Sequence, residues 1–408
     1  MSKETQNIIT VIDVGSAKTV VLAAETTESG LRYRAHGVVE SHGTRKGVIA
    51  DMDSAAQAVQ KAVEEAEAMI DQPLDSVSTG ISGAHIRAYN AQGSISLGPH
   101  PRDVQREDVR AVIDRARGIT LPADRRILHL LPREFILDGQ GGVREPSGMQ
   151  ASTLEVMIHV ITAGSTAAQN VVTTLNRAGM QVEETIYEAL ASSDAVLRSD
   201  ERELGAVVAD IGAGSTDVVV FRDGRVSHSA VIPLGGDHFT NDVAVGLRTP
   251  LLAAEHIKRQ FGFACLDGMA ANNEIEVPSV GDRPSRLMAQ HLLGEILEPR
   301  ARELMELLRS NLEQAGEFDA LAGGVVLTGG GARLQGFVRI AEQVLERQVR
   351  LGLPLGMAQL PAELAEPEFA TAIGMIYYTH RKRILNARPE TGVGGRLKRI
   401  LSGLGMGS

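Results

Sequence analysis

Two stretches of this chain repeat one frame. Ile8–Glu25 reads IITVIDVGSAKTVVLAAE, and Val207–Val220 reads VVADIGAGSTDVVV. In each, an apolar strand ends on an acidic residue, Asp13 or Asp210. A glycine-containing turn with a hydroxyl residue follows, then a second apolar strand. One such turn alone is an ordinary tight hairpin, because Gly and Ser suit many turns. Two in the same frame, one heading each half, restrict the chain to a duplicated core. A third turn, VVLTGGG at Val325–Gly331, ends another apolar strand on three glycines. Glycine lets phosphate come close to backbone N–H groups. A carboxylate does not bind phosphate itself, but it can hold a divalent ion through water. The three turns together point to a nucleotide held between two halves.

In this order the turns resemble the phosphate-1, phosphate-2 and adenosine segments of the actin-like ATPase superfamily. The resemblance implies an α/β, actin-like (ribonuclease H-like) duplicated two-domain fold around a nucleotide cleft, with ATP and Mg²⁺ as ligands. Asp13 and Asp210 are then the candidate Mg²⁺-water holders. Gly15, Ser16, Lys18, Gly212, Gly214, Ser215 and Thr216 are the candidate phosphate cradle. Lys18 reads equally as a solvated hairpin charge. Glu188 opens a helix behind the cleft; in related ATPases this position orients the attacking water. With Asp210 it forms the candidate catalytic pair, although an acid at a helix N-terminus is favourable in its own right. Gly235 and Gly236 open a helix that can face phosphate or sugar. Glu255 and Lys258 match nucleoside contacts of the superfamily, and also read as an exposed i,i+3 pair. Gly329, Gly330 and Gly331 would pass the ribose and adenine.

The 408 residues suffice for two or more domains with cores of their own. Aromatic residues are only 3% and Trp is absent, so Val, Ile, Leu, Ala and Met build the core. The single Cys265 excludes an intramolecular disulfide and a cysteine metal cluster, and reads as a buried neutral residue. A net charge of −10 speaks against general nucleic-acid binding. The first residues enter a strand without a signal-peptide pattern, and no apolar run reaches transmembrane length.

Along the chain, strands are expected over 8–24 and Leu31–His42, a helix over Ser54–Ile70 and a strand at Val77–Ile81. Residues 84–164 look different: strand-like runs at Gly93–Leu97, Arg126–Pro132 and Thr153–Ile161, a polar helix Gln105–Ala116, and a glycine-rich stretch Asp138–Gly148 read as an exposed loop. Helix Thr166–Ala178, strand Gln181–Tyr187 and helix Glu188–Leu197 follow. Helices are expected at Gly235–Val245, Pro250–Phe261 and Arg286–Gln314. After the third glycine turn come helix Phe337–Glu346, strand Gln348–Gly352 and helix Phe369–Lys382.

Several stretches narrow the resemblance to the FtsA family of bacterial division proteins: LHLLPREFILDG with EPSGM downstream, EALASSDAVL, ERELG, VIPLGGDHFTNDVA and EVPSVGDRPSR. The similarity runs from residue 8 to the C-terminal tail. That family carries its extra subdomain, 1C, in the first half, where 84–164 stand here. The implied division is 1–83 and 165–203 for subdomain 1A, 84–164 for 1C, 204–240 for 2A and 241–320 for 2B. Residues 321–383 close the core and 384–392 form a linker.

The segment 393–408 ends the chain as an expected amphipathic helix. Val393, Leu397, Ile400, Leu401 and Leu404 share one helical face, and Arg396, Lys398 and Arg399 supply basic charge without any acid. This pattern reads as an interfacial membrane anchor, or as a helix docked on protein. Each basic residue at an anionic surface adds about 1 kcal/mol. The tail lacks the bulky aromatic common in the family and is broken by glycines, so many tails held in a polymer would be needed for firm attachment.

The FtsA resemblance therefore implies an ATP-binding protein that polymerises with itself on the cytoplasmic face of the inner membrane at the division site. It would bind anionic lipids, tether the FtsZ C-terminal tail through 240–320 and recruit later division proteins. Arg300, in ILEPR, is the candidate FtsZ contact. ATP would act as a conformational ligand, with at most slow hydrolysis. Two other readings stay open: a pilus-assembly relative binding an inner-membrane partner's peptide, and a small-molecule kinase of the same fold.

Overall fold

The structure is a computed structural model that describes residues 7–118, 121–266, 273–281 and 283–387. The expected tail helix, with Arg396, Leu397, Lys398, Arg399, Ile400, Leu401 and Leu404, lies outside the described residues.

The first half opens with β1 (Ile8–Val14), β2 (Lys18–Thr27) and β3 (Gly30–Glu40), then α1 (Met52–Ile70) and β4 (Ser76–Ile81). The next elements are β5 (Arg87–Ser96), α2 (Arg106–Arg117), β6 (Arg125–Leu137) and β7 (Thr153–Gly164). The chain returns through α3 (Ser165–Arg177), β8 (Gln181–Tyr187) and α4 (Glu188–Val196). The second half runs β9 (Ala206–Ile211), β10 (Thr216–Arg222), β11 (Arg225–Ile232), α5 (Gly236–Gly246), α6 (Leu251–Phe261) and α7 (His291–Gln314). It closes with β12 (Gly324–Thr328), α8 (Phe337–Leu345), β13 (Val349–Leu351) and α9 (Ala370–Ala387).

The duplication extends to strand order. One sheet runs β8-β4-β1-β2-β3 and the other β13-β12-β9-β10-β11. In both, an antiparallel meander of three strands is extended by two parallel ones. The register agrees as well: Asp13 stands opposite Val20 and Asp210 opposite Asp217, one residue before each turn-flanking pair.

Both central strands are buried on both faces, as their nearly unbroken apolar sequences require. Alternate residues of β9 serve different cores: Val208 packs with the first half, Val207 and Ala209 with the second. The helices α4 and α9 fill the space between the halves. They approach so closely that a Cβ on Gly374 would lie 1.7 Å from the carbonyl oxygen of Ala191. Buried Asp194 of α4 is held by Arg202 at 2.8 Å and by Arg381 of α9 at 2.6 Å.

Residues 87–164 form a separate four-stranded sheet, ordered Gln140–Val143, β6, β7, β5, with α2 laid across it and a core of its own. This small sheet docks through two buried histidines. His129 accepts a hydrogen bond from the Tyr187 N–H at 2.9 Å, and His159 meets Ser229 of β11 at 2.8 Å.

Two local expectations change. Asp138–Gly148 is not wholly loop, because Gln140–Val143 pairs back onto β6. The long helix starts at His291, not Arg286: Arg286–Ala289 is a strand paired with Glu274–Val277, where Ile275 and Val277 are buried and Glu274 and Glu276 face outward. Pro299 sits within α7, where its missing N–H removes one helical hydrogen bond. Cys265 is buried, as expected. No described helix is long and apolar enough to cross a membrane.

Candidate functional site

The two hairpin turns are built alike. Gly15 N–H donates to Lys18 O at 3.1 Å, and Gly212 N–H to Ser215 O at 2.9 Å. Each turn thus follows its acid by two residues and leaves Asp13 and Asp210 at the ends of the central strands. The acids face one another closely enough to interact. Burial first, then the charge of Asp210, pushes Asp13 up to about 7, against the pull of Lys18. Asp210 is also raised by burial, while hydrogen bonds from Thr371 at 2.8 Å and from Ser192 counter the rise.

Glu188 is the first residue of α4 and is half-buried. A Cβ on Gly80 would lie 2.7 Å from its Cγ, so the glycine before the last residue of β4 admits this side chain. Burial and the nearby Asp13, Asp217 and Asp210 hold the Glu188 carboxyl well above the usual range. The structure therefore brings Glu188 together with both hairpin acids and adds Asp217 as a fourth. Asp217 is raised to about 7 by burial and by Asp210, and accepts from Ser82 at 2.6 Å.

Lys18 closes the first turn and opens β2, and its charge acts on Asp13 and Asp210. Its ammonium lies 3.4 Å from Glu368 and 3.6 Å from the centre of the Phe369 ring. Burial draws it below the usual lysine range. Thr216 is fully buried and donates to Leu234 O at 2.8 Å, so its hydroxyl braces the fold. Ser215 bonds with Asp217. Ser16 accepts from Gly47 N–H at 3.0 Å.

Gly235 and Gly236 press on the second turn. Gly236 N–H donates to Gly212 O at 2.9 Å, and Asp237 N–H to Ala213 O at 2.8 Å. Lys258 reaches back to this corner, donating to Gly236 O at 3.1 Å and to Thr240 at 2.8 Å, with Glu255 2.6 Å away. The pair is therefore a built corner, and not a free surface ion pair: the Lys258 side chain is only 13% exposed. Gly329 and Gly331 have a packing reason to be glycine. A Cβ on Gly329 would fall 2.3 Å from Asp210 Oδ1, and one on Gly331 2.5 Å from Ile211 Cγ2. Gly330 is the open one, with nothing nearer than 3.6 Å. Arg300 lies apart, on α7, bonded to Asp242 at 2.6 and 3.1 Å and to Glu303.

Four carboxyls meet here, Asp210 and Asp217 buried and Asp13 and Glu188 half-buried, and all four are raised, a strain that a divalent cation would relieve. Among the described residues no three acids, histidines or cysteines converge to ligate an ion directly. The residues thus suit a Mg²⁺–nucleotide. Sequence reasoning missed Asp217, Thr371 and Glu368. Only Asp217 had a local signal, as the acid that closes GAGSTD.

A profile described as "Cell division protein FtsA" matches residues 207–374, and one described as "SHS2 domain inserted in FTSA" matches 83–162. The chain is 39% identical to the cell division protein FtsA of Pseudomonas aeruginosa, over 94% of this chain and 91% of that one. It is 35% identical to FtsA of Escherichia coli K12, over 98% of both. Among solved structures, the PilM–PilN type IV pilus biogenesis complex superposes with a TM-score of 0.65 at 21% identity, covering 90% of this chain and 97% of that one. MreB5 of Spiroplasma citri bound to ADP gives 0.57 at 14%, covering 94% and 100%. These likenesses show the actin-like fold. With two matching profiles and identity of this extent over nearly its whole length, the chain belongs to the FtsA family of bacterial cell division proteins.

Proposed function

We propose that this actin-like cell division protein binds ATP with Mg²⁺ between its two glycine turns and works as a membrane tether for the division machinery. The observation that carries the nucleotide reading is the pairing of Asp13 and Asp210 at the ends of equivalent strands, each followed by the same glycine turn. In this reading Asp13 and Asp210 hold the hydrated Mg²⁺, the N–H groups around Gly15, Gly212 and Gly214 take phosphate, and Glu255 and Lys258 meet the nucleoside. Gly330 passes the base. Glu188 orients water, and hydrolysis is at most slow.

The tail 393–408 would lie on anionic lipid at the inner face of the cytoplasmic membrane, and self-association would multiply its weak grip. The FtsZ tail would dock on 241–320 near Arg300, whose two acidic partners can exchange for acids of a peptide. The docked sheet of 84–164 would contact neighbouring subunits or later division proteins.

Co-sedimentation with anionic liposomes and ATP tests this, comparing the full chain with one cut after Pro389 and adding the FtsZ tail peptide. Only the full chain should pellet, and it should carry the peptide down. If both chains stay in solution and the peptide is ignored, the tether reading is wrong, and peptide binding of the pilus-assembly type becomes the reading to test.

A further inference from the structure

Residues 43–51 enter the cleft from the first half as a miniature hairpin. Thr44–Arg45 pairs antiparallel with Val48–Ile49, leaving Lys46 and Gly47 as a two-residue tip. Both have positive φ, 51° and 74°, as a type I′ turn requires. Asn, Asp or Gly suits the first position; a lysine there is held in the left-handed region at a steric cost. The base is locked, because Gly43 O accepts from Ala50 N–H at 2.7 Å and Asp51 N–H at 2.9 Å.

The tip is wedged between the two glycine turns. Gly47 N–H donates to Ser16 of the first turn at 3.0 Å. In the second turn, a Cβ on Gly214 would lie 2.5 Å from Lys46 Cα and 3.2 Å from Ser16 Oγ. On a third side, a Cβ on Gly47 would stand 3.0 Å from Gly83 Cα. Nothing in this packing calls for a lysine. Its side chain is exposed, and among the described residues it has no hydrogen bond or ion pair. The cleft's other lysines are engaged: Lys18 by Glu368 and Phe369, Lys258 by Glu255, Gly236 and Thr240.

We infer that Lys46 is the cation that meets the terminal phosphate of the bound nucleotide, and that its hairpin reports whether that phosphate is present. The inference rests on the nucleotide reading above. A strained lysine at the meeting point of two phosphate-type turns, with no hydrogen bond or ion pair among the described residues and only the longer-range charge of Asp237 acting on it, is a group kept for a ligand. The ligand it suits is an anion between those turns. A triphosphate places more negative charge in the gap than a diphosphate, so the ammonium favours the triphosphate. The bond from Gly47 to Ser16 ties the tip's position to the first turn, and so links nucleotide state to the seam between the halves.

Equilibrium binding of fluorescent ATP and ADP analogues, with Mg²⁺ and the full chain, tests this. Lys46→Ala should weaken ATP-analogue binding about tenfold and ADP-analogue binding less than about twofold. Lys46→Asn suits the turn better while removing the charge, so it should fold at least as well and lose the same tenfold. Lys46→Arg should keep most of the affinity. If the wild type binds both analogues and Lys46→Asn binds them equally well, the inference fails and the nucleotide reading survives. An equal loss for both analogues also overturns it. If the wild type binds neither, both fall together.

Discussion

Ser82 donates a 2.6 Å hydrogen bond to Asp217, and that bond crosses from the first half of the molecule to the second. Both residues are buried. Asp217 stands opposite Asp210 in the β9–β10 hairpin, whereas the equivalent position opposite Asp13 is Val20. The duplication is thus broken by one added carboxyl, and the first half supplies a hydroxyl to receive it. The same seam is bridged by Thr371 to Asp210 at 2.8 Å. Nucleotide between the hairpins would act on a joint already pinned by single hydrogen bonds.

Ser82→Ala should therefore cost more than an ordinary serine deletion. It removes the donor that crosses the seam to Oδ2 of buried Asp217, with Ser215 left beside the carboxyl, a loss of about 1–3 kcal/mol. Urea unfolding of the variant against wild type measures it. A change below about 0.5 kcal/mol would show that the bond does not hold the seam.

The glycines make a sharper contrast. Gly374→Ala places a methyl 1.7 Å from a backbone oxygen, which no side-chain motion relieves, so α4 and α9 must separate. The cost should reach about 3 kcal/mol. Gly329→Ala meets Asp210 at 2.3 Å and a φ of 82°, and should be comparably harmful. Gly330→Ala, with 3.6 Å of clearance, should leave the melting temperature almost unchanged. Thermal denaturation of the three variants gives the ranking. A Gly330 variant as damaged as the other two would contradict it.

How far these features could be read from sequence depends on whether their cause is local. The hairpins were legible because strand, acid and glycine turn lie within about fifteen consecutive residues, twice. The miniature hairpin at Thr44–Ile49 has two-residue strands, too short for any period, and its Lys-Gly tip departs from the usual Asn-Gly signal. The strand Arg286–Ala289 was absorbed into the neighbouring helix because four residues cannot separate period 2 from period 3.6. Thr371 and Glu368 reach the site from the far end of the chain, and no local pattern announces that. Gly329 and Gly331 were expected beside a ligand; their sequence signal is the same whether a ligand or Ile211 lies against them.

The docked sheet should loosen in mild acid. Burial holds His129 down at about 3, helped by the charge of Lys382, and His159 likewise at about 3, helped by His228 and Arg133. A histidine depressed in the folded state binds fewer protons than it does unfolded, so its stabilising effect is full above pH 6.5 and is lost as pH falls toward 3. Each contributes a slope of up to about 1.4 kcal/mol per pH unit within that window. Asp13 and Asp217, raised to about 7, act with the opposite sign below neutrality, so total stability is a poor readout. The difference between wild type and His129→Gln isolates the histidine: from pH 6 to 5 the wild type should lose about 1 kcal/mol more than the variant. Parallel pH profiles would mean that His129 takes up its proton without leaving its site.

Asp194 tests how α9 is fixed to the core. Its carboxyl is held below the usual range because Arg381 and Arg202 outweigh a large burial effect. Its side chain is only 7% exposed and both arginines depend on it. Asp194→Ala would leave two guanidinium groups beside one another without their shared partner, a loss of about 3 kcal/mol. Arg381→Ala leaves Arg202 still paired and should cost less. Because α9 also carries Thr371 onto Asp210, release at Asp194 should be felt at the cleft. Limited proteolysis should cut within 370–387 in Asp194→Ala before it does in wild type, and Arg381→Ala should fall between them. Equal protection of that helix in all three proteins would show that the Gly374–Ala191 contact alone is enough to hold it.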